Sequence, residues 1–130
     1  MKQLSLQEVM TPFPYTVDAS QSAQTAHTLL TKHRVRHLAV EHEGEIIGVL
    51  SDRDVNLALN MDGDDTGLTP VFALCSKPAY VVDVAEPFAK VARSMADHRY
   101  GCALITENGK LSGIVTTTDL CRLLAELLEG

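Results

Sequence analysis

Two seven-residue stretches place a hydroxyl three positions before a carboxylate, each behind a glycine and two apolar residues. The first is Gly48-Val49-Leu50-Ser51-Asp52-Arg53-Asp54, the second Gly113-Ile114-Val115-Thr116-Thr117-Thr118-Asp119. In each, a strand ends on a hydroxyl and a helix begins beside a carboxylate. Helix-start N–H groups and a Ser/Thr hydroxyl suit phosphate oxygens. A carboxylate offers two acceptor oxygens, the complement of a ribose diol. The plainer alternative is helix capping, because Ser-x-x-Asp is also a capping-box pattern. Seen once, capping would take precedence. Seen twice behind the same Gly-apolar-apolar lead, the nucleotide reading moves ahead.

The two stretches lie 65 residues apart, and the chain repeats at that spacing without a gap. Tyr15, Val17, Asp18, His33, Arg34, Gly44, Gly48 and Asp54 recur as Tyr80, Val82, Asp83, His98, Arg99, Gly109, Gly113 and Asp119. Chance at ordinary composition would supply about three such identities. Each half reads as strand, helix, strand, strand, helix. In the first, Tyr15 to Val17 is β-prone, and Ser20 or Ser22 can cap a helix with Ala23, Ala26, Leu29 and Leu30 on its apolar face. His37 to Glu41 and Glu45 to Leu50 form a hairpin at Glu43-Gly44, and Asp52 opens a helix. In the second, Pro87 opens a helix with Phe88, Val91, Ala92 and Met95 on one face. Cys102 to Thr106 and Lys110 to Val115 form a hairpin at Asn108-Gly109. A last helix from about Thr118 carries Leu120, Leu123, Leu124, Leu127 and Leu128. Ser5 to Glu8 is a capping box for a short leading helix. The predicted division is residues 1–64, with that helix, and 65–130.

Composition limits the function classes. The chain has 130 residues, 45% hydrophobic and 22% charged, a globular balance for one domain or two half-domains. No apolar run is long enough to span a membrane. Residues 1–10 lack the apolar stretch of a secretory signal, so the expected location is cytoplasmic. With 11 basic against 17 acidic residues and a net charge of −6, an extended basic face for nucleic acid is not expected. Cys75, Cys102 and Cys121 are odd in number and have no metal-ligand spacing, so they read as buried thiols in a reducing cytosol. Met61 to Thr69 reads as a loop. Asp62 and Asp64 mimic a calcium loop with Gly67 at its sixth position, but Ala73 stands where the bidentate Glu belongs. His33 and His98 fall at helix C-termini, where an imidazolium meets the dipole favourably. His27 and His42 read as solvent-facing. No nucleophile–base pair or metal set is spaced for chemistry, so neither catalytic nor metal residues are assigned.

The repeat, the Val35-Arg36-His37-Leu38-Ala39-Val40 strand entry, the Gly44 hairpin and the two corners together resemble a tandem pair of CBS domains, a Bateman module, from about Val9 to Leu128. The chain departs from the family where Leu38-Ala39-Val40 replaces the frequent Leu-Pro-Val. The resemblance implies an α+β fold of two β-α-β-β-α repeats about a pseudo-twofold axis. It implies adenosine-containing ligands (AMP, ADP, ATP, S-adenosylmethionine) in two crossed clefts, with regulation rather than catalysis. Carried over, Asp119 and Thr116, with Ile114 in the same corner, hold ribose and phosphate in one cleft. Val35, Arg36, His37 and Arg53 supply its phosphate end. Asp54 and Ser51 serve the other cleft, facing Tyr100, Gly101, Cys102 and Thr118. Thr16-Val17 and Val81-Val82 offer backbone and apolar contact to adenine. The resemblance requires no cofactor. It implies a homodimer and an effector protein through which a free-standing module acts. The alternatives are a ligand-independent assembly module and a small nucleotide-acting enzyme.

Overall fold

The computed structural model describes residues 3–61 and 66–130. Asp62, Asp64 and most of the expected loop core lie outside the described residues. The chain runs α1 (Leu6–Val9), β1 (Thr11–Pro12), β2 (Thr16–Asp18), α2 (Ala23–His33), β3 (His37–His42), β4 (Glu45–Ser51), α3 (Asp52–Met61), a 3-10 turn (Thr66–Leu68), α4 (Val71–Leu74), β5 (Val81–Asp83), α5 (Phe88–His98), β6 (Cys102–Glu107), β7 (Lys110–Thr116) and α6 (Thr117–Glu129). Both repeats have the expected β-α-β-β-α order. The end of the expected loop is ordered as the 3-10 turn. The elements β1 and α4 were not legible, being too short for any hydrophobic period to show.

Local devices recur in pairs. Hairpins turn at Glu43-Gly44 and Asn108-Gly109 with positive φ at both central residues, the geometry that matches strand twist. Helices α2 and α5 end on left-handed Arg34 and Arg99. Ser22 caps α2, accepting from the Thr25 N–H. Ser20 instead bonds its hydroxyl to Asp18, two residues back. Ser5 and Glu8 form the expected reciprocal box at α1.

Packing divides the chain into two compact units, Tyr15–Ala79 and Met1–Pro14 with Tyr80–Gly130. Each repeat is thus completed by the segment that leads into the other. In the first-repeat unit, β2 pairs in parallel with β3 and β3 antiparallel with β4. Its core joins Leu38, Val40, Leu50 and Val55 to Val71 and Cys75. In the second-repeat unit the sheet order is β1-β7-β6-β5. Its core joins Val91, Met95, Ala103, Ile105 and Val115 to Leu6 and Met10. The corner glycines make this possible. A Cβ on Gly48 would lie 2.6 Å from the Ser76 carbonyl oxygen, and one on Gly113 would overlap Met10. Each glycine leaves room for a leader segment to cross the strand.

Candidate functional site

The two corners are built alike. At Ser51, the backbone N–H donates to Asp54 Oδ2 (2.9 Å), and the Asp54 N–H donates to Ser51 Oγ (3.1 Å). At Thr116 the same two bonds to and from Asp119 measure 2.9 and 3.1 Å. The capping box is therefore formed in both repeats. It occupies one oxygen of each carboxylate and fixes the rotamer of the other. Asp119 Oδ1 lies 3.4 Å from an Arg122 guanidinium nitrogen, with the carboxylate side chain only 15% exposed.

Strand register brings further residues to each corner. His37 stands opposite Ser51, and Cys102 opposite Thr116. The Arg36 carbonyl accepts from the Asp52 N–H at 2.8 Å, and the Gly101 carbonyl from the Thr117 N–H at 3.1 Å. Arg36 is thereby drawn to the first turn of α3. With Asp52, Arg53, Asn56, Leu57 and Asn60 it lines an open depression of about 520 Å³. Arg36 and Arg53 are exposed and in no ion pair among the described residues. Asn56, Leu57 and Asn60 escaped the sequence reading. Their spacing from Arg53, three, four and seven residues on, is the helix-face period that could have found them.

The remaining expected residues sort by burial. Val17 and Val82 turn into the two cores, leaving Thr16 and Val81 as the outward side chains of their strands. Val35 packs against the first core. Ile114 is buried, whereas Gly101 and Thr118 are exposed. Tyr100 stacks against the rings of Tyr80 (4.7 Å) and His98 (5.1 Å) and stays exposed. In the other unit Tyr15 stacks on His33 at 3.8 Å. The expected helix-end position of His33 and His98 holds, and ring stacking is added to it. Burial pushes the Cys102 thiol up to about 11, which makes it a poor nucleophile at neutral pH. The Cys75 thiol is also raised by burial, but Cys121, expected to be buried, is exposed, because it lies on α6, a helix with no buried residue.

No group of three metal-ligating side chains occurs among the described residues. Nor is any helix among them long and apolar enough to cross a membrane.

Comparison with known proteins gives the same architecture. A family profile described as CBS domain matches residues 6–60 and 71–126. The chain is 31% identical over 116 residues to the CBS domain-containing protein YhcV of Bacillus subtilis (strain 168), covering 89% of this chain and 82% of the relative. It is 28% identical over 124 residues to L-aspartate semialdehyde sulfurtransferase of Methanosarcina acetivorans, covering 92% of this chain but only 24% of that enzyme. Among solved structures, the CBS domain pair of protein MJ0100 in complex with 5′-methylthioadenosine and S-adenosyl-L-methionine superposes with a TM-score of 0.82. That match has 21% identity and covers 96% of this chain and 98% of that one.

Proposed function

The chain belongs to the CBS-domain family, and from that membership we propose that it is a cytoplasmic regulatory module that binds an adenosine-containing ligand and signals through a partner protein or its own homodimer. The observation that carries this reading is the corner built twice with the same bonds, each holding a carboxylate rotamer fixed beside a helix start. The likeness to a pair that binds two adenosine derivatives supports it. In this reading Asp119 and Thr116, with Arg36, His37 and Arg53 at the phosphates, hold a multiply charged nucleotide. Arginine binds phosphate bidentately and keeps its charge. The repeat equivalents of Arg36, His37 and Arg53 are Gly101, Cys102 and Thr118, so in the crossed pairing that the resemblance implies Asp54 is served by neutral groups and takes a less charged ligand, or takes one weakly.

One observation favours a ligand-independent assembly module instead: both aspartates already serve as caps. A thermal-shift screen with AMP, ADP, ATP and S-adenosylmethionine separates the two. A ligand at a hundredfold its Kd adds about 2.7 kcal/mol, a readily visible shift. No shift with any of them refutes the sensing reading. Asp54→Asn and Asp119→Asn keep a capping acceptor while removing the charge, and each is expected to weaken binding about tenfold.

A further inference from the structure

Beyond the shared cap, the two corners differ one helical turn on. On a helix the side chain three residues along lies on the same face and leans back towards the N-terminus. It therefore overhangs the carboxylate at the helix start. Three residues after Asp54 stands Leu57, and three after Asp119 stands its repeat equivalent, Arg122. Leu57 is exposed and offers the carboxylate no donor. Asp54 Oδ2 accepts from the Ser51 N–H, and its Oδ1 has no hydrogen bond or ion pair among the described residues. At the other corner Asp119 Oδ2 accepts from the Thr116 N–H, and Oδ1 is paired with Arg122 at 3.4 Å. Both oxygens of Asp119 are thus engaged within its own helix start. The partners differ in freedom, because the Arg122 side chain is 64% exposed and that of Asp119 only 15%. The cation can swing into water, whereas the capping bond holds the carboxylate where it is.

A ribose diol presents two hydroxyl donors, and a carboxylate offers two acceptor oxygens. At Asp54 the second oxygen is open to a hydroxyl. At Asp119 the same oxygen is held by a cation, and a charged donor outcompetes a neutral one. A neutral nucleoside must therefore break an ion pair to seat its ribose. A nucleotide brings its own anion, so a displaced guanidinium keeps a charged partner. Resting on the adenosine reading above, we propose that Arg122 is a latch on Asp119 that sets this corner against ligands without a phosphate. It acts on the ribose through the carboxylate. Leu57 leaves the Asp54 corner unlatched and open to neutral nucleosides.

Calorimetry on an Asp54→Asn parent, in which the other corner is weakened, reads the Asp119 corner. Adenosine is the neutral probe and ATP the charged one. Adding Arg122→Leu should tighten adenosine about two- to fivefold, the worth of an exposed ion pair, and should not tighten ATP. Arg122→Lys keeps the cation and should return adenosine to the parent affinity. Salt separates the latch from a change in packing. Because salt screens the pair, adenosine should bind the parent more tightly as salt rises and bind Arg122→Leu alike at every salt concentration. In the otherwise wild-type chain, Leu57→Arg should weaken adenosine by a similar factor. An exposed pair adds little to stability, so each variant should melt close to its parent. If ATP binds the parent and Arg122→Leu takes adenosine no better than the parent does, the latch is refuted and the adenosine reading stands. If neither compound binds the wild type, both fall together.

Discussion

Each corner aspartate serves two roles that substitution can separate, since only one of its oxygens is used by the cap. The arginines offer a cleaner test, because neither Arg36 nor Arg53 appears in any ion pair of the described residues. Calorimetry with ATP should show one dominant, salt-sensitive site per chain, abolished by Arg36→Ala with Arg53→Ala. Two equal sites, or a double variant without effect, would refute the proposed asymmetry. The thiols test burial directly. Cys121 should react with a thiol reagent in the native state, and Cys75 and Cys102 only after denaturation. Because burial raises the Cys102 thiol from an ordinary 9.0 to about 11, the folded state favours its protonated form. Its contribution is complete below pH 9 and is lost as pH rises from about 9 to about 11. Cys102→Ala should flatten that part of the alkaline denaturation profile.

At the element level, the strands β4 and β7 are crossed by different kinds of atom. Gly48 faces a backbone carbonyl, which cannot move aside, whereas Gly113 faces the flexible side chain of Met10. Gly48→Ala should therefore cost about 1–3 kcal/mol, and Gly113→Ala less, as read from thermal melts. Helix α6 carries the other consequence. Leu120 packs on the core, but Leu124, Leu127 and Leu128 are 56%, 50% and 79% exposed. Leu123 and Leu127 also line a groove of about 830 Å³ with Phe88 and Ala92. An apolar surplus of this kind marks an interface, and the proposed occupant is the same face of a second copy. Light scattering should find a dimer at micromolar concentration for wild type and a monomer for Leu124→Lys with Leu128→Lys. A wild-type monomer would refute the homodimer.

At the scale of the molecule, the exchange of leader segments links the fates of distant residues. Leu6, in the short helix before the first repeat, is fully buried in the second-repeat core. Leu6→Ala should cost about 2–5 kcal/mol. Hydrogen exchange should show protection lost in β6 and β7, at the far end of the chain, before it is lost in β3 and β4. Val71, buried in the first-repeat core, is its counterpart, and Val71→Ala should reverse that order.

The paired hairpins, the helix caps and the corner motif were legible in the sequence, because each rests on residues within one or two turns of each other, and the repeat showed because those local signals recur at one spacing. Glu43-Gly44 and Asn108-Gly109 specify their turns locally, and Ser51–Asp54 and Thr116–Asp119 cap their helices through bonds three residues long. What the sequence could not disclose depends on partners far along the chain. Nothing near Gly48 says that Ser76 will cross it, and nothing near Leu6 says that it will enter the core of the other repeat. The inward turn of Val17 and the stacking of Tyr100 on Tyr80 and His98 follow from packing rather than residue type. So does the left-handed Phe13, held against its own preference by a strand that begins nearly a hundred residues later. Local preferences choose the elements, and only long-range packing decides which of them share a core and which side chains stay in water.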